Sequence, residues 1–200
     1  MESTTNQAQF CGTLTDLPVF SHENHGRSFY AFSLEIPRLS GASDILPFVA
    51  AEDVLETLDL SGGSRIRVTG QIRSFNSRNA VGRKLIVSVF AETVETCEDE
   101  PENDVLLTGA ICKPPVFRRT PLGREICDIM LAVSRRYRRT DYIPCILWGR
   151  TAQEAAELPV GAKVELHGRL QSRNYIKQLE TGREERITYE LSVMEAYQIQ

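Results

Sequence analysis

Arginines alternate with aromatic residues in one part of this chain, and that is where its chemistry is concentrated. The densest run is Arg135-Arg136-Tyr137-Arg138-Arg139. Arg118 and Arg119 precede it, and Tyr142, Trp148, Arg150, Arg169, Arg173 and Tyr175 follow. Guanidinium groups spaced along a groove track a phosphate backbone and gain affinity by releasing counterions. Aromatic faces stack on unpaired bases, each worth about 1–3 kcal/mol and nearly indifferent to base identity. Tyr142 and Trp148 are six residues apart, and on one strand an even spacing puts both on the same face. Each residue also has a plainer reading. The arginine run suits a solvated hairpin tip, Trp148 a core position, and Tyr142 and Tyr175 ordinary cross-strand packing. Their conjunction in one half of the chain favours single-stranded nucleic-acid binding.

Other chemistries find no footing. There is no GxxxxGK[ST] loop to cradle a phosphate, and no GxSxG or HExxH arrangement. His22 and His25 are three apart but have no nearby Cys or His to complete a ligand set, so they are expected as polar loop residues. The five cysteines, Cys11, Cys97, Cys112, Cys127 and Cys145, form no CxxC pair. An odd number without such pairs argues against a disulfide framework or a zinc site. No catalytic residue, metal ligand or cofactor is expected, and the chain is not read as an enzyme.

The elements that position these residues are written twice. At a shift of 97, Gly12 meets Gly109, Pro18-Val19-Phe20 meets Pro115-Val116-Phe117, Gly26-Arg27 meets Gly123-Arg124, Arg38 meets Arg135, and Asp44 meets Asp141. After one inserted residue the shift is 98, and Gly63 meets Gly161, Gly70 meets Gly168, Ser74 meets Ser172 and Asn76 meets Asn174. An ordered series in one register marks a repeat. It divides the chain into 1–94 and 105–200, joined by the acidic, proline-containing stretch 95–104, expected to be a linker. In the second unit, strands are expected over Val105–Lys113, Glu125–Ser134, Tyr142–Trp148, Lys163–Arg173 and Thr188–Ile199, with Arg118 and Arg119 in a loop. A helix is expected over Thr151–Leu158, capped by Thr151 and Glu154; Asp53 and Glu56 repeat that device in the first unit. Gly70 and Gly168 fall inside strands, where a lone glycine suggests a bulge or tight bend. Three strands, a helix and two strands is the order of an oligonucleotide-binding (OB) barrel, although pattern alone leaves other small barrels open. The expected class is therefore all-β with short helices, as two tandem five-stranded Greek-key OB barrels.

Charge follows the same division. The net charge is −4 overall, but residues 1–94 carry −2, residues 95–104 carry −6 and residues 105–200 carry +4. A local positive potential steers a polyanion more than the total does. The start, MESTTNQAQF, lacks the basic and apolar regions of a signal peptide, and no apolar run reaches the roughly 18 residues of a membrane span. A cytoplasmic, nucleoid-associated protein with no membrane partner is expected.

At these residues the second half resembles the bacterial single-stranded DNA-binding protein family. The stretches that carry the resemblance are Leu107-Thr-Gly109, Arg119-Thr-Pro-Leu-Gly123, Leu131-Ala-Val-Ser-Arg135, Asp141-Tyr-Ile-Pro-Cys-Ile-Leu-Trp-Gly149, Thr151-Ala152 and Gly168-Arg-Leu-Gln-Ser-Arg-Asn-Tyr175. The resemblance implies an OB fold and single-stranded DNA binding with little sequence preference. It also implies stacking roles for Tyr137, Tyr142, Trp148 and Tyr175, and assemblies of four barrels, hence a homodimer of this chain. Members of that family end in a flexible, acidic-tipped tail that recruits other proteins. This chain ends at Met194-Glu-Ala-Tyr-Gln-Ile-Gln200, so tail-mediated recruitment is not expected. In the first half the four aromatic places fall on Ser40, Ile45, Ala50 or Ala51, and Ser77. That barrel is expected to be chiefly structural. Alternative readings are a protein–protein adaptor of replication or phage recombination with weak nucleic-acid affinity, and an RNA binder, since stacking and phosphate contacts do not read the 2′-hydroxyl.

Overall fold

Over residues 65–74 every second residue, including Ile66, Val68, Ile72 and Ser74, is buried, and the residues between are not. That period of two makes a strand with one face on a core, and it recurs through the chain. The computed structural model describes residues 6–56, 58–77, 84–179 and 182–199. The first half contains β1 (Asn6–Leu14), β2 (Val19–Asn24), β3 (Arg27–Pro37), β4 (Ser43–Ala51), α1 (Glu52–Leu55), β5 (Arg65–Ser77) and β6 (Lys84–Thr96). The second half contains β7 (Glu102–Ile111), β8 (Val116–Arg119), β9 (Glu125–Arg135), a 3-10 turn (Arg136–Arg138), β10 (Arg139–Trp148), α2 (Gly149–Ala156), β11 (Lys163–Leu179) and β12 (Gly182–Ile199).

Each half closes a five-stranded barrel. In the first, β1 pairs with β3, β3 with β4, β4 in parallel with β6, β6 with β5, and β5 returns to β1. In the second, β7, β9, β10, β12 and β11 form the same ring, with β10 parallel to β12. These are the two OB barrels expected from the repeat. Each also carries a short sixth strand outside the ring, β2 on β3 and β8 on β9. Phe10, Phe32 and Phe48 fill the first barrel; Leu131, Ile143, Leu166 and Leu191 belong to the second, within one continuous core. The expected irregularities at Gly70 and Gly168 are register shifts at Thr69/Gly70 and His167/Gly168. A Cβ at either glycine would lie 2.1 Å from a carbonyl oxygen of the neighbouring strand, that of Phe90 or Ser192.

Several local expectations are corrected. Neither helix has a side-chain cap. Gly149, at φ +55°, turns the chain into α2 before Thr151 is reached, and Glu154 pairs with Arg150 instead. In α1, Asp53 bonds to Arg27 rather than capping. Arg118 and Arg119 lie on β8, paired with Ile126 and Glu125, not in a loop. Strand β11 continues past Arg173 in a long hairpin with β12, so Tyr175 is on the strand. Of the supposed linker, 95–96 completes β6 and 102–104 opens β7. His22 lies on β2 and stacks on Phe29. The five cysteines are free, but Cys11 and Cys97 meet with sulfurs 3.0 Å apart. Burial, then the bond to Cys97, pushes the Cys11 thiol up to about 11.

The two barrels are fused about a local dyad. Strand β1 runs antiparallel to β7 with Ala8 opposite Val105, and these are the same position of the repeat. Around this axis the interactions come in matched pairs. Asn6 bonds both backbone groups of Ile72, as Asn103 does those of Leu170. Asp141 in the second barrel accepts the Ser74 backbone N–H of the first at 2.7 Å. Asp44 in the first accepts the Ser172 N–H and hydroxyl of the second, each at 2.8 Å. Arg135 holds Asp141 at 3.0 Å, and Arg38 holds Asp44 at 2.5 Å. Both carboxylates are buried. A buried carboxylate tolerates its desolvation only when its partners are in place.

Burial alone would raise the Asp44 pKa, but the Arg38 guanidinium and both Ser172 donors outweigh it and hold the pKa below the ordinary value. A depressed carboxylate stabilises the fold above its unfolded pKa of about 3.9 and loses that contribution as pH falls through the folded value. Stability measured by denaturant titration should therefore drop below about pH 4, and Asp44→Asn should flatten that dependence. At neutral pH, Asp141→Ala should cost about 3 kcal/mol, the low end for a broken buried pair whose arginine is still partly in water.

Candidate nucleic-acid interface

Tyr142 and Trp148 share the outer face of β10, as their spacing requires. Ile143, Cys145 and Leu147 point into the barrel. Opposite on β9, Tyr142 meets Ala132 and Pro144 meets Met130. On the other side, Ile146 aligns with Ser192 of β12, and Ser192 with Arg169 of β11. The same face of β11 then carries Gln171, Arg173 and Tyr175 at successive alternate positions. The barrel's strands thus bring Arg169, Arg173, Tyr175, Tyr142 and Trp148, which are well separated along the chain, onto one continuous sheet surface.

Each aromatic side chain on this surface is presented to solvent. Tyr142 is 44% exposed, and Trp148 and Tyr175 are each 36% exposed. Trp148 lies against the sheet, with its Nε1–H donating to Ser192 Oγ at 3.2 Å, so one edge of the indole is fixed. Tyr142 is anchored through its backbone, whose N–H donates to Ser74 Oγ of the first barrel at 2.7 Å. Tyr137 stands apart at the tip of the β9–β10 turn and is 94% exposed. Tyr137 and Arg138 both take left-handed backbone angles, φ +61° and +56°. A non-glycine residue with positive φ carries strain that the surrounding structure must support.

The arginines divide by their partners. Arg136 and Arg138 belong to the 3-10 turn, and Arg139 is exposed at the start of β10. Arg173 reaches Glu190 at 3.4 Å, and Gln171 bonds the same carboxylate. Glu190 is buried beneath the face. Arg118 pairs with Asp128 at 2.7 Å, a bond that raises its pKa further. Arg119 pairs with Glu125 at 2.8 Å, which pulls the Glu125 pKa down. Arg150 belongs to α2 and turns along it to Glu154 at 2.9 Å. Arg135 differs from all of these. It is bound to fully buried Asp141, which places it in the joint between the barrels. Sequence reasoning passed over Glu190, Ser192, Asp128 and Ser74, which position the face; only Ser74 left a signal, its match to Ser172 across the repeat.

Known proteins resemble this chain in sequence and in fold. The single-strand binding protein family matches residues 102–198. The single-stranded DNA-binding protein A of Bacillus subtilis is 39% identical over 83 residues, 38% of this chain and 48% of that protein. The single-stranded DNA-binding protein 2 of Listeria innocua is 38% identical over 80 residues, 36% of this chain and 50% of that protein. The single-stranded DNA-binding protein B of Bacillus subtilis is 35% identical over 80 residues, 36% of this chain and 71% of that protein. The chain spans about half the length of the first two of these relatives. The crystal structure of the wild-type single-stranded DNA binding protein from Thermus aquaticus superimposes on nearly the whole chain. It covers 98% of this chain and 93% of that one, with a TM-score of 0.79 and 23% identity, so the likeness extends to two barrels on one polypeptide. The fold is that of paired OB barrels. The chain belongs to the single-strand binding protein family.

The partners of the arginines separate their expected effects. Charge reversal at Arg136, Arg138 and Arg139 should weaken oligonucleotide binding and reduce the slope of log affinity against log salt by about 0.7 for each phosphate no longer neutralised. Arg135→Glu should instead lower the unfolding midpoint, because it sets a carboxylate against buried Asp141. Salt-titrated binding and thermal melts on the two variants would tell these outcomes apart.

Proposed function

We propose that this chain binds single-stranded DNA, with little sequence preference and without catalysis, through the outer sheet face of its second barrel. The observation that carries the proposal is the placement of Tyr142, Trp148 and Tyr175 on one exposed surface edged by Arg169 and Arg173. Strands β10 and β11 both contribute to that surface, and a stack of core aromatics would have been buried. Bases stack on the rings, and the guanidinium groups at the margin and at the Tyr137 turn follow the phosphates. Arg118, Arg119 and Arg150 add to the positive edge in proportion to how readily a phosphate displaces their carboxylate partners. No hydrogen-bonding pocket selective for a base is needed, which fits low sequence preference. The role is to cover exposed strands during replication, recombination or repair.

The first barrel supplies the framework. Its Ser74 orders Tyr142, and its β1 shields the edge of β7. Two chains would present four barrels, and we propose a homodimer. Light scattering at micromolar concentration should give a mass near twice 22.5 kDa; a monomer would overturn the assembly.

Trp148 is the chain's single tryptophan, so its fluorescence reports on the face directly. Titration with oligo-dT should quench it to saturation, and duplex DNA should not. Trp148→Ala should cost about 1–3 kcal/mol of binding. Absence of binding in a mobility assay would overturn the function. Competition between poly-dT and poly-U would show whether the preference is for DNA.

A further inference from the structure

The proposed face does not stop at the second barrel. Where β10 begins, its neighbour is β5 of the first barrel: Asp141 holds the Ser74 N–H, and Tyr142 donates its backbone N–H to the Ser74 hydroxyl. The next residue on β5 is Phe75. Ser74 is buried, whereas Phe75 is 54% exposed, so the phenyl ring points away from the core at the point where Tyr142 emerges.

The repeat gives this position meaning. In the second barrel the corresponding strand reads Gln171, Arg173, Tyr175 on its outer face; in the first it reads Arg73, Phe75, Ser77. The first barrel therefore lacks an aromatic at the place of Tyr175 but has one a single step earlier on the same face, about 7 Å along the strand. A cation precedes the aromatic on both strands. Arg73 lies over the Phe90 ring at 5.2 Å and is half-buried against the second barrel. Its neighbours from the packed elements are Arg135 and Arg139 on the positive side and Asp141 and Glu92 on the negative side. Burial first, then Arg135, holds the Arg73 pKa below its ordinary value. Its Nε has no hydrogen-bond partner among the described residues. Arg73 is repelled across the joint by Arg135 and Arg139, guanidinium groups of the other barrel. An anion lying between them would relieve that repulsion.

A lone exposed phenylalanine is ordinary on a protein surface. One that follows Ser74, which bonds the backbone of a candidate stacking tyrosine, and that shares a strand face with Arg73 is not scattered at random. We propose that Phe75 is a base-stacking residue contributed by the first barrel, with Arg73 beside it for the adjoining phosphate, so that the strand leaving Tyr142 crosses the joint onto β5. The inference rests on the single-strand-binding reading and gives the first barrel a share in it.

The test is Phe75→Ala in the full chain, with Trp148 intact as the reporter. Two oligo-dT lengths are compared: one of about 8 nucleotides, within the span of one barrel, and one of about 30, long enough to cross the joint. Affinity for the long strand should fall at least fivefold, affinity for the short one should change less than twofold, and the melting temperature should hold. Phe75→Trp should restore long-strand binding, which a loss through misfolding would not predict. Long-strand affinity within twofold of the parent would overturn the proposal, with the parent's own binding standing as before. Equal loss at both lengths with a lowered melting temperature would also overturn it and make Phe75 a packing residue. Failure of the parent chain to bind either strand would instead remove the single-strand-binding reading itself.

Discussion

The antiparallel pairing of β1 with β7 is the constraint on which the rest of the molecule depends. Each barrel is closed upon itself, yet each first strand has a free edge that water would otherwise have to solvate. Pairing those edges about Ala8 and Val105 satisfies both sets of backbone groups at once. It also sets the two barrels at one rotation. That rotation brings Asp44 to Ser172 and Asp141 to Ser74, and the buried carboxylates then lock it, because each is removed from water and takes hydrogen bonds from the other barrel beside its own arginine. A duplicated unit has in this way built within one chain the symmetric interface that two identical subunits would share.

From that lock follows the shape of the candidate surface. Asp141 and Tyr142 are adjacent, one turned inward to the joint and the other outward to solvent, so the interaction that holds the barrels together also fixes where the outer face of β10 begins. Ser74 serves both: its N–H goes to Asp141 and its hydroxyl accepts from Tyr142. The arginine run is the strongest sequence signal for phosphate binding, and it has two functions in the structure. Arg135 faces inward to Asp141, whereas Arg136, Arg138 and Arg139 ride the exposed turn. Symmetry in the backbone with asymmetry in the side chains is what allows one barrel to carry the main aromatic set and the other to act mostly as its support.

The fold is largely legible without coordinates, because strand periodicity and an internal repeat are both written along the chain. The alternation on β5 and β11, the glycines at the two register shifts, and the shared exposed face of Tyr142 and Trp148 all follow from a period of two. The misreadings have local causes. Thr151 and Glu154 have the spacing of a capping box, but Gly149 starts the helix too early to use it. The acidic stretch 95–104 has the composition of a linker, but Glu102, Asn103 and Asp104 are needed to pair with β1. Arg118 and Arg119 follow two prolines, as loop residues do, yet the β8–β9 hairpin takes them up.

Sequence by itself determined the number of barrels, the five main strands of the second one, the shared face of Tyr142 and Trp148, and the half of the chain in which positive charge and aromatic rings coincide. These are properties of near neighbours, and spacing along the chain records them. Tertiary structure alone decided which residues from distant strands lie side by side: that Trp148 rests on Ser192, that Arg173 is tied to Glu190, that Cys11 meets Cys97, and that the Ser74–Phe75 step of β5 meets Tyr142. Sequence could match Asp44 with Asp141 and Ser74 with Ser172, because a repeat shows equivalence. It could not show that each aspartate reaches the serine of the other barrel, because that exchange is set by the angle at which β1 and β7 pair, and an angle between two sheets leaves no period in the chain.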